Sequence, residues 1–207
     1  MTSYGAILLA GGRASRVDGA TKHLFDIGGR TILQRTVDAV YERGCSPITI
    51  VAPETPLTST TAAHVTWTRE DPLFGGPVAG IAAALATWIN PPAWTFLLAC
   101  DLPQVDAAVA RLLRDLPLFP ADTDGVCLAD PSSRPQWLTG VYRTEVVARG
   151  LAALPDGGRH ASVRAIFDDA AIATVAGGAD ESADVDTWED LNTARLLWAK
   201  TYEQENS

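Results

Sequence analysis

The 207-residue chain is long enough for one large domain with its own core and short for two, and its 47% hydrophobic and 20% charged content is that of a folded globular protein. This excludes disordered, collagenous and disulfide-rich classes. A formal net charge of −9 weighs against nucleic acid or an anionic membrane as the main partner.

The first predicted element is a strand over 4–9 (Tyr-Gly-Ala-Ile-Leu-Leu), continuous rather than alternating, as expected for a strand covered on both faces. It runs directly into Leu9-Ala10-Gly11-Gly12-Arg13-Ala14-Ser15-Arg16 and on to Lys22. Five of the 16 basic residues (Arg13, Arg16, Lys22, Arg30, Arg35) lie in the first 35 positions, where the only acids are Asp18 and Asp26. Glycine lets backbone N–H groups approach phosphate oxygens closely, and Arg13, Arg16 and Lys22 can neutralise them, so the pattern suits a polyphosphate. It is neither a Walker A motif nor the Gly-x-Gly-x-x-Gly dinucleotide fingerprint. A glycine pair after a strand is also an ordinary turn.

Residues 31–43 carry Leu33, Val37, Val40 and Tyr41 on one helical stripe, with Thr31 and Gln34 able to form a capping box and Gly44 able to take the left-handed terminal conformation. Strands follow at 48–51 and 65–68, separated by a Pro- and Thr-rich loop over 53–63. Asp71-Pro72-Leu73-Phe74-Gly75-Gly76-Pro77-Val78-Ala79-Gly80-Ile81 is a second glycine-rich turn, suited to close approach by a ligand or by packed backbone, and it leads into a helix over 80–89 that ends at Asn90-Pro91-Pro92.

The next strand, 95–99, delivers Asp101 to a sheet edge, where open α/β sheets bind ligands, and a carboxylate there serves either as a Mg²⁺ ligand or as a cap for the following helix. Helices are predicted over 106–116 and 145–154, stopped by Pro117 and Pro155, with strands over 125–128 and 138–142 between them. Arg134-Pro135-Gln136-Trp137 and Arg159-His160 are candidates for contacting an acceptor phosphate. After a loop over 176–183, Asp184-Val185-Asp186 puts two carboxylates on the same side of an extended segment, just before a helix over 187–200. These acids can hold a cation, or they can serve the helix as cap and first-turn acids.

Strand and helix alternate throughout, giving a Rossmann-like three-layer α/β sandwich with a mostly parallel central sheet, one domain over 1–200 and a polar tail over 201–207. Cys45, Cys100 and Cys127 fit no disulfide framework, and His23, His64 and His160 lack metal-ligand spacing, so a reducing cytoplasm is the expected location. No signal peptide is evident, and no apolar run suffices to cross a bilayer of roughly 30 Å.

Together these motifs resemble the molybdenum cofactor guanylyltransferase (MobA-like) family of nucleotidyltransferases, which have a glycosyltransferase-A-type fold. The family pattern Leu-Ala-Gly-Gly-x-x-x-Arg-Met-Gly-x-x-Lys is similar to Leu9 through Lys22, with Val17 for Met. Gly76-Pro77-Val78-Ala79-Gly80 resembles its Gly-Pro-Leu-Ala-Gly, and Cys100-Asp101-Leu102-Pro103 its Cys-Asp-x-Pro. Asp184 to Leu191 is similar to its Asn-x-Asn-Thr-Pro-Glu-Asp-Leu, with both asparagines replaced by aspartates.

The resemblance implies transfer of a nucleoside monophosphate, GMP from GTP, to the phosphate of a pterin acceptor with Mg²⁺ as cofactor. It implies Arg16, Lys22 and Asp101 as catalytic residues, and Leu9, Ala10, Gly11, Gly12, Arg13, Lys22, Asp71, Gly76 and Asp101 as nucleotide contacts. Asp101, Asp184 and Asp186 would be the metal ligands. Ile50-Val51-Ala52-Pro53 stands where the family has a base-side asparagine. A cytidylyltransferase, a transferase for another phosphorylated acceptor and a non-catalytic nucleotide sensor are the alternatives.

Overall fold

The apolar runs predicted as strands lie side by side in a seven-stranded sheet. The computed structural model describes residues 2–11, 16–17, 20–58, 60–178 and 184–205. In chain order it contains β1 (Tyr4–Leu9), β2 (Arg16–Val17), β3 (Ala20–Thr21), β4 (Asp26–Ile27), β5 (Arg30–Thr31), α1 (Ile32–Glu42), β6 (Ile48–Val51), β7 (Val65–Thr68), α2 (Pro77–Leu85) and β8 (Trp94–Ala99). There follow α3 (Val105–Asp115), β9 (Gly125–Ala129), β10 (Pro135–Arg143), α4 (Thr144–Ala153), β11 (Ile172–Ala176) and α5 (Trp188–Glu205).

The sheet order is β11-β9-β10-β8-β1-β6-β7. Strand β1 runs parallel to both β6 and β8, β7 continues parallel to β6, and β10 alone runs antiparallel between β8 and β9. The chain therefore winds outward from β1 through β6 to β7, then returns to β8 on the other side of β1. That reversal opens a crevice at the carboxyl ends of β1 and β8, the place where open α/β sheets accept ligands.

Alternation along β1 builds two cores. Ala6 and Leu8 face α1 and α3, packing with Leu33, Val37, Val40, Val109 and Leu112, whereas Ile7 faces α2 and α4, packing with Val78, Ile81, Val146 and Val147. All of these side chains are buried, and each large one contributes roughly 1.5–3 kcal/mol. A third, smaller cluster joins Phe25 and Ile27 of the β4 region to Val185, Leu191 and Ala194. It anchors α5 and the acidic segment before it against the ribbon β4–β5.

The predicted elements are present with shifted ends. Thr31 caps α1 by accepting the Gln34 N–H at 3.1 Å, but the Gln34 side chain, instead of closing the capping box, donates to Asp38 at 2.9 Å. Helix α2 begins three residues before the predicted 80, because Gly76 takes φ 92° as the cap and Pro77 sits in the first turn, where its missing N–H costs nothing. Strand β10 is longer than 138–142 because it bulges between Gln136 and Gly140. Strand β11 has no counterpart among the predicted strands: Ile-Ala-Thr-Val-Ala is a half-exposed edge strand without a strong apolar signal. Helix α5 runs past the predicted 200 to Glu205, and a short 3-10 turn, Thr60–His64, begins within the predicted loop over 53–63 and ends one residue past it. Among the described residues no helix is long and apolar enough to cross a membrane.

Candidate active site

Four neighbouring strands end level with one another. Cys100 N–H donates to Leu9 O at 3.1 Å, Ala10 N–H to Val51 O at 3.2 Å, and Ala52 N–H to Thr68 O at 3.1 Å. These bonds make a common rim from which the functional segments emerge. Gly11 leaves it so close to the next strand end that a Cβ would lie 3.2 Å from Val51 O and 3.7 Å from Ala52 Cα. Gly12 and Arg13 lie outside the described residues. Arg16 pairs with Thr21 across β2 and β3, and its side chain is likewise outside the description.

Lys22 opens a short 3-10 turn (Lys22–Leu24) and is 95% buried. Its ammonium forms an ion pair with the carboxylate of Asp186, 164 positions along the chain. Asp101 lies in the turn after β8, and its carbonyl accepts the Val185 N–H at 3.0 Å. Val185 is buried in the third cluster, so the flanking Asp184 and Asp186 are turned outward, as an alternating segment requires. Asp186 reaches the cleft. Downstream, Thr187 and Asp190 cap the helix reciprocally: Thr187 N–H donates to Asp190 at 2.7 Å and Asp190 N–H to Thr187 at 3.1 Å. The segment thus serves both the helix and the site.

Burial pushes the Asp101 carboxyl up to about 6, and the Asp184 charge pushes in the same direction, opposed by Lys22 and reinforced by Asp186. A largely desolvated carboxyl among like charges is a place that favours an added cation. Among the described residues, no three His, Cys, Asp or Glu side chains form a ready-made metal cage.

These groups line a cleft of about 750 Å³, within the range of small-molecule sites. Leu9, Ala10, Gly11, Lys22, Gly76 and Asp101 are all on its wall. Asp71 is exposed and lies outside the lining, where its neighbour Glu70 stands instead. Of the two candidate acceptor contacts, Arg159 and His160 reach the cleft, whereas 134–137 do not. His160 holds φ 58° and donates its N–H to Gly75 O at 2.7 Å, which fixes this pair beside the glycine turn before α2.

His23 joins the site without being among the predicted residues. It is 95% buried, lines the cleft beside Lys22, and its Nδ1 has no hydrogen-bond partner among the described residues. Burial pushes its imidazole down to about 4, so the ring is neutral at pH 7. Adjacency to Lys22 is the only sequence signal for it.

Comparison with known proteins agrees with this geometry. The family model of the MobA-like NTP transferase domain matches residues 6–173. A probable molybdenum cofactor guanylyltransferase of Synechococcus elongatus is 32% identical over 151 residues, 70% of this chain and 74% of the relative. A molybdenum cofactor guanylyltransferase of Pseudomonas syringae is 33% identical over 113 residues, a match spanning about half (53%) of either chain. In structure, the manganese complex of Rv0371c from Mycobacterium tuberculosis superposes with TM-score 0.62 at 19% identity, covering 94% of this chain and 98% of that one. The chain belongs to the MobA-like NTP transferase family and is a nucleotidyltransferase.

Proposed function

We propose that this nucleotidyltransferase moves GMP from GTP to the terminal phosphate of molybdopterin and releases pyrophosphate. The observation that carries the reading is the meeting of Lys22, Asp101 and Asp186, from three distant parts of the chain, at the crevice where β1 leads into Gly11. An acceptor phosphate oxygen attacks the α-phosphorus, a P–O bond forms, and the bond to pyrophosphate breaks. Such a displacement needs positioning and charge neutralisation rather than a nucleophilic side chain.

The chain's own residues provide for both. Lys22 meets the triphosphate as a cation that exchanges its Asp186 partner for phosphate oxygens, and Gly11 brings backbone N–H groups close to them. Arg13 and Arg16, close to them in sequence, would add charge. Asp101, with Asp186 and Asp184 beside it, would hold Mg²⁺, which supplies further neutralisation of phosphate charge when bound. Arg159 and His160, on the cleft wall, receive the anionic acceptor.

Purified protein with GTP, Mg²⁺ and molybdopterin should release pyrophosphate, and Asp101→Ala or Lys22→Ala should abolish turnover while the fold persists. Full activity of Asp101→Ala would refute the metal assignment. Nucleotide binding without turnover on any phosphorylated acceptor would identify a sensor instead. Ala52 and Pro53 line the cleft where the family has an asparagine, which favours testing CTP as the second donor.

A further inference from the structure

We infer that the bulge in β10 is a wall for the acceptor's ring, with Leu138 as the contact and Tyr142 as the positioning residue that holds it; this deepens the nucleotidyl-transfer reading above and rests on it. In the pairing of β10 with β9, Gln136 stands opposite Leu128 and Gly140 opposite Cys127. Four steps along β10 thus answer one along β9, and residues 137–139 arch out of that register. Bulges of this kind re-aim side chains beside active sites. On its other side β10 stays paired with β8 as far as Thr139, which stands opposite Leu98. The arch therefore rises at the end of β8, where Ala99 and Asp101 line the cleft. Of the three arch residues, Leu138 is on the cleft wall with them.

What fixes the arch lies off that wall. Tyr142 is fully buried, and its hydroxyl donates to the Trp137 carbonyl oxygen at 2.9 Å, spanning the arch. A Cβ on Gly140 would collide with this hydroxyl, so the glycine leaves it room. Phe167 stacks with Tyr142 at 4.2 Å between ring centroids and with Trp137 at 5.6 Å, so one ring braces both partners of the bond. In an unbroken strand Trp137 and Leu138 would point to opposite faces, yet both pack against the core under α2 and α4. Phe167 ends the 3-10 turn Val163–Phe167, shortly after Arg159 and His160, so the segment that brings those two residues to the cleft also braces the arch.

Leu138 offers neither charge nor a side-chain hydrogen bond, so it favours apolar surface, which on the acceptor is the face of a ring rather than the phosphate. Strand β10 lies on the opposite side of β8 from β1. A phosphate seated among Gly11, Lys22 and Asp101 therefore has Leu138 on the side away from β6 and β7. A wall already held by a hydrogen bond and a ring stack needs no ordering when the acceptor arrives, which favours binding.

The test measures kcat and KM separately for GTP and for molybdopterin in wild type, Leu138→Ala and Tyr142→Phe, with melting temperatures alongside. Leu138→Ala should raise the KM for molybdopterin about 10-fold and leave that for GTP unchanged. Tyr142→Phe keeps the ring that stacks with Phe167 and removes only the hydroxyl. It should raise the KM for molybdopterin about 3- to 10-fold, again without moving that for GTP, although Tyr142 lies off the cleft wall. A KM for molybdopterin unmoved in Leu138→Ala overturns the contact, and one unmoved in Tyr142→Phe overturns the positioning role. Equal changes for GTP and molybdopterin in Tyr142→Phe would make the hydroxyl a support of the sheet and overturn that role as well. A ringless phosphorylated acceptor used as efficiently as molybdopterin overturns the ring reading while leaving nucleotidyl transfer intact. If wild type turns over no acceptor, the underlying function fails, and this inference with it.

Discussion

Asp101→Asn removes a negative charge from a site where burial and Asp184 already oppose ionisation, so its effect on stability can be worked from the raised carboxyl. The ordinary value is 3.8 and the folded value about 6. That difference corresponds to about 2–3 kcal/mol. Because the folded protein holds this proton more tightly than the unfolded chain, ionising Asp101 destabilises the fold. The cost is absent below about pH 4, grows between pH 4 and 6, and is complete above it. Asn mimics the neutral acid, so without metal the variant should match wild type near pH 4 and exceed it by about 2–3 kcal/mol at pH 7.5. At ~2–4 °C per kcal/mol for a domain of this size, the melting temperature should rise by roughly 4–12 °C. His23, lowered to about 4, gives the opposite pH slope and cancels in the difference between the two proteins. The assay is thermal or urea unfolding in EDTA at both pH values, repeated with Mg²⁺, which should narrow the gap by stabilising wild type alone. A variant that is less stable at pH 7.5, or a difference independent of pH, would refute the reasoning.

Lys22→Met should change stability by only about 1 kcal/mol, since the abandoned Asp186 is 64% exposed and stays hydrated, while turnover falls about 10²–10³-fold; unfolding and pyrophosphate release measure the two effects. Asp186→Asn should be the more destabilising of the pair, because it weakens the pairing of a buried ammonium. The Mg²⁺ requirement for turnover should rise about tenfold per pH unit below about 6, where protons compete for Asp101; a requirement flat from pH 5 to 8 would exclude Asp101 as a ligand. Gly150→Ala should cost about 3 kcal/mol, read by urea unfolding, because the new Cβ would sit 1.9 Å from the Ile166 carbonyl oxygen. Gly29→Ala, with open space around it but φ 81°, should cost only about 1–2 kcal/mol.

The central strands were legible because they are buried on both faces and so read as apolar runs: 4–9 and 48–51 carry the same bounds in sequence and structure, as does the part-exposed edge strand 65–68, whose β-branched and aromatic residues mark it. The ends of α2 and α5 were less so. Gly76-Pro77 starts a helix through a backbone conformation and a missing donor, signals that an apolar stripe does not carry. Strand β11 depends on pairing with β9 rather than on its own composition, and the two-residue ribbons are too short for any period to register.

In the site, legibility follows the same division. Asp101 could be placed because a buried strand carries it to a known edge, and Asp184 and Asp186 because alternation about an apolar Val185 fixes their side. No such rule operates in the turn over 69–76. There Glu70 lines the cleft and accepts the Phe74 N–H while Asp71 lies off the wall, and neither is written in any spacing. His23 has the same origin: its burial comes from the 3-10 turn that Lys22 begins, not from a pattern of its own. The positions that sequence reading left open are thus those where a turn, rather than a period, aims the side chain. His23 lies beside Lys22 and Glu70 lies in the turn after β7, so such positions fall at both ends of the cleft, and the reaction class could be read from the motifs while these side chains could not.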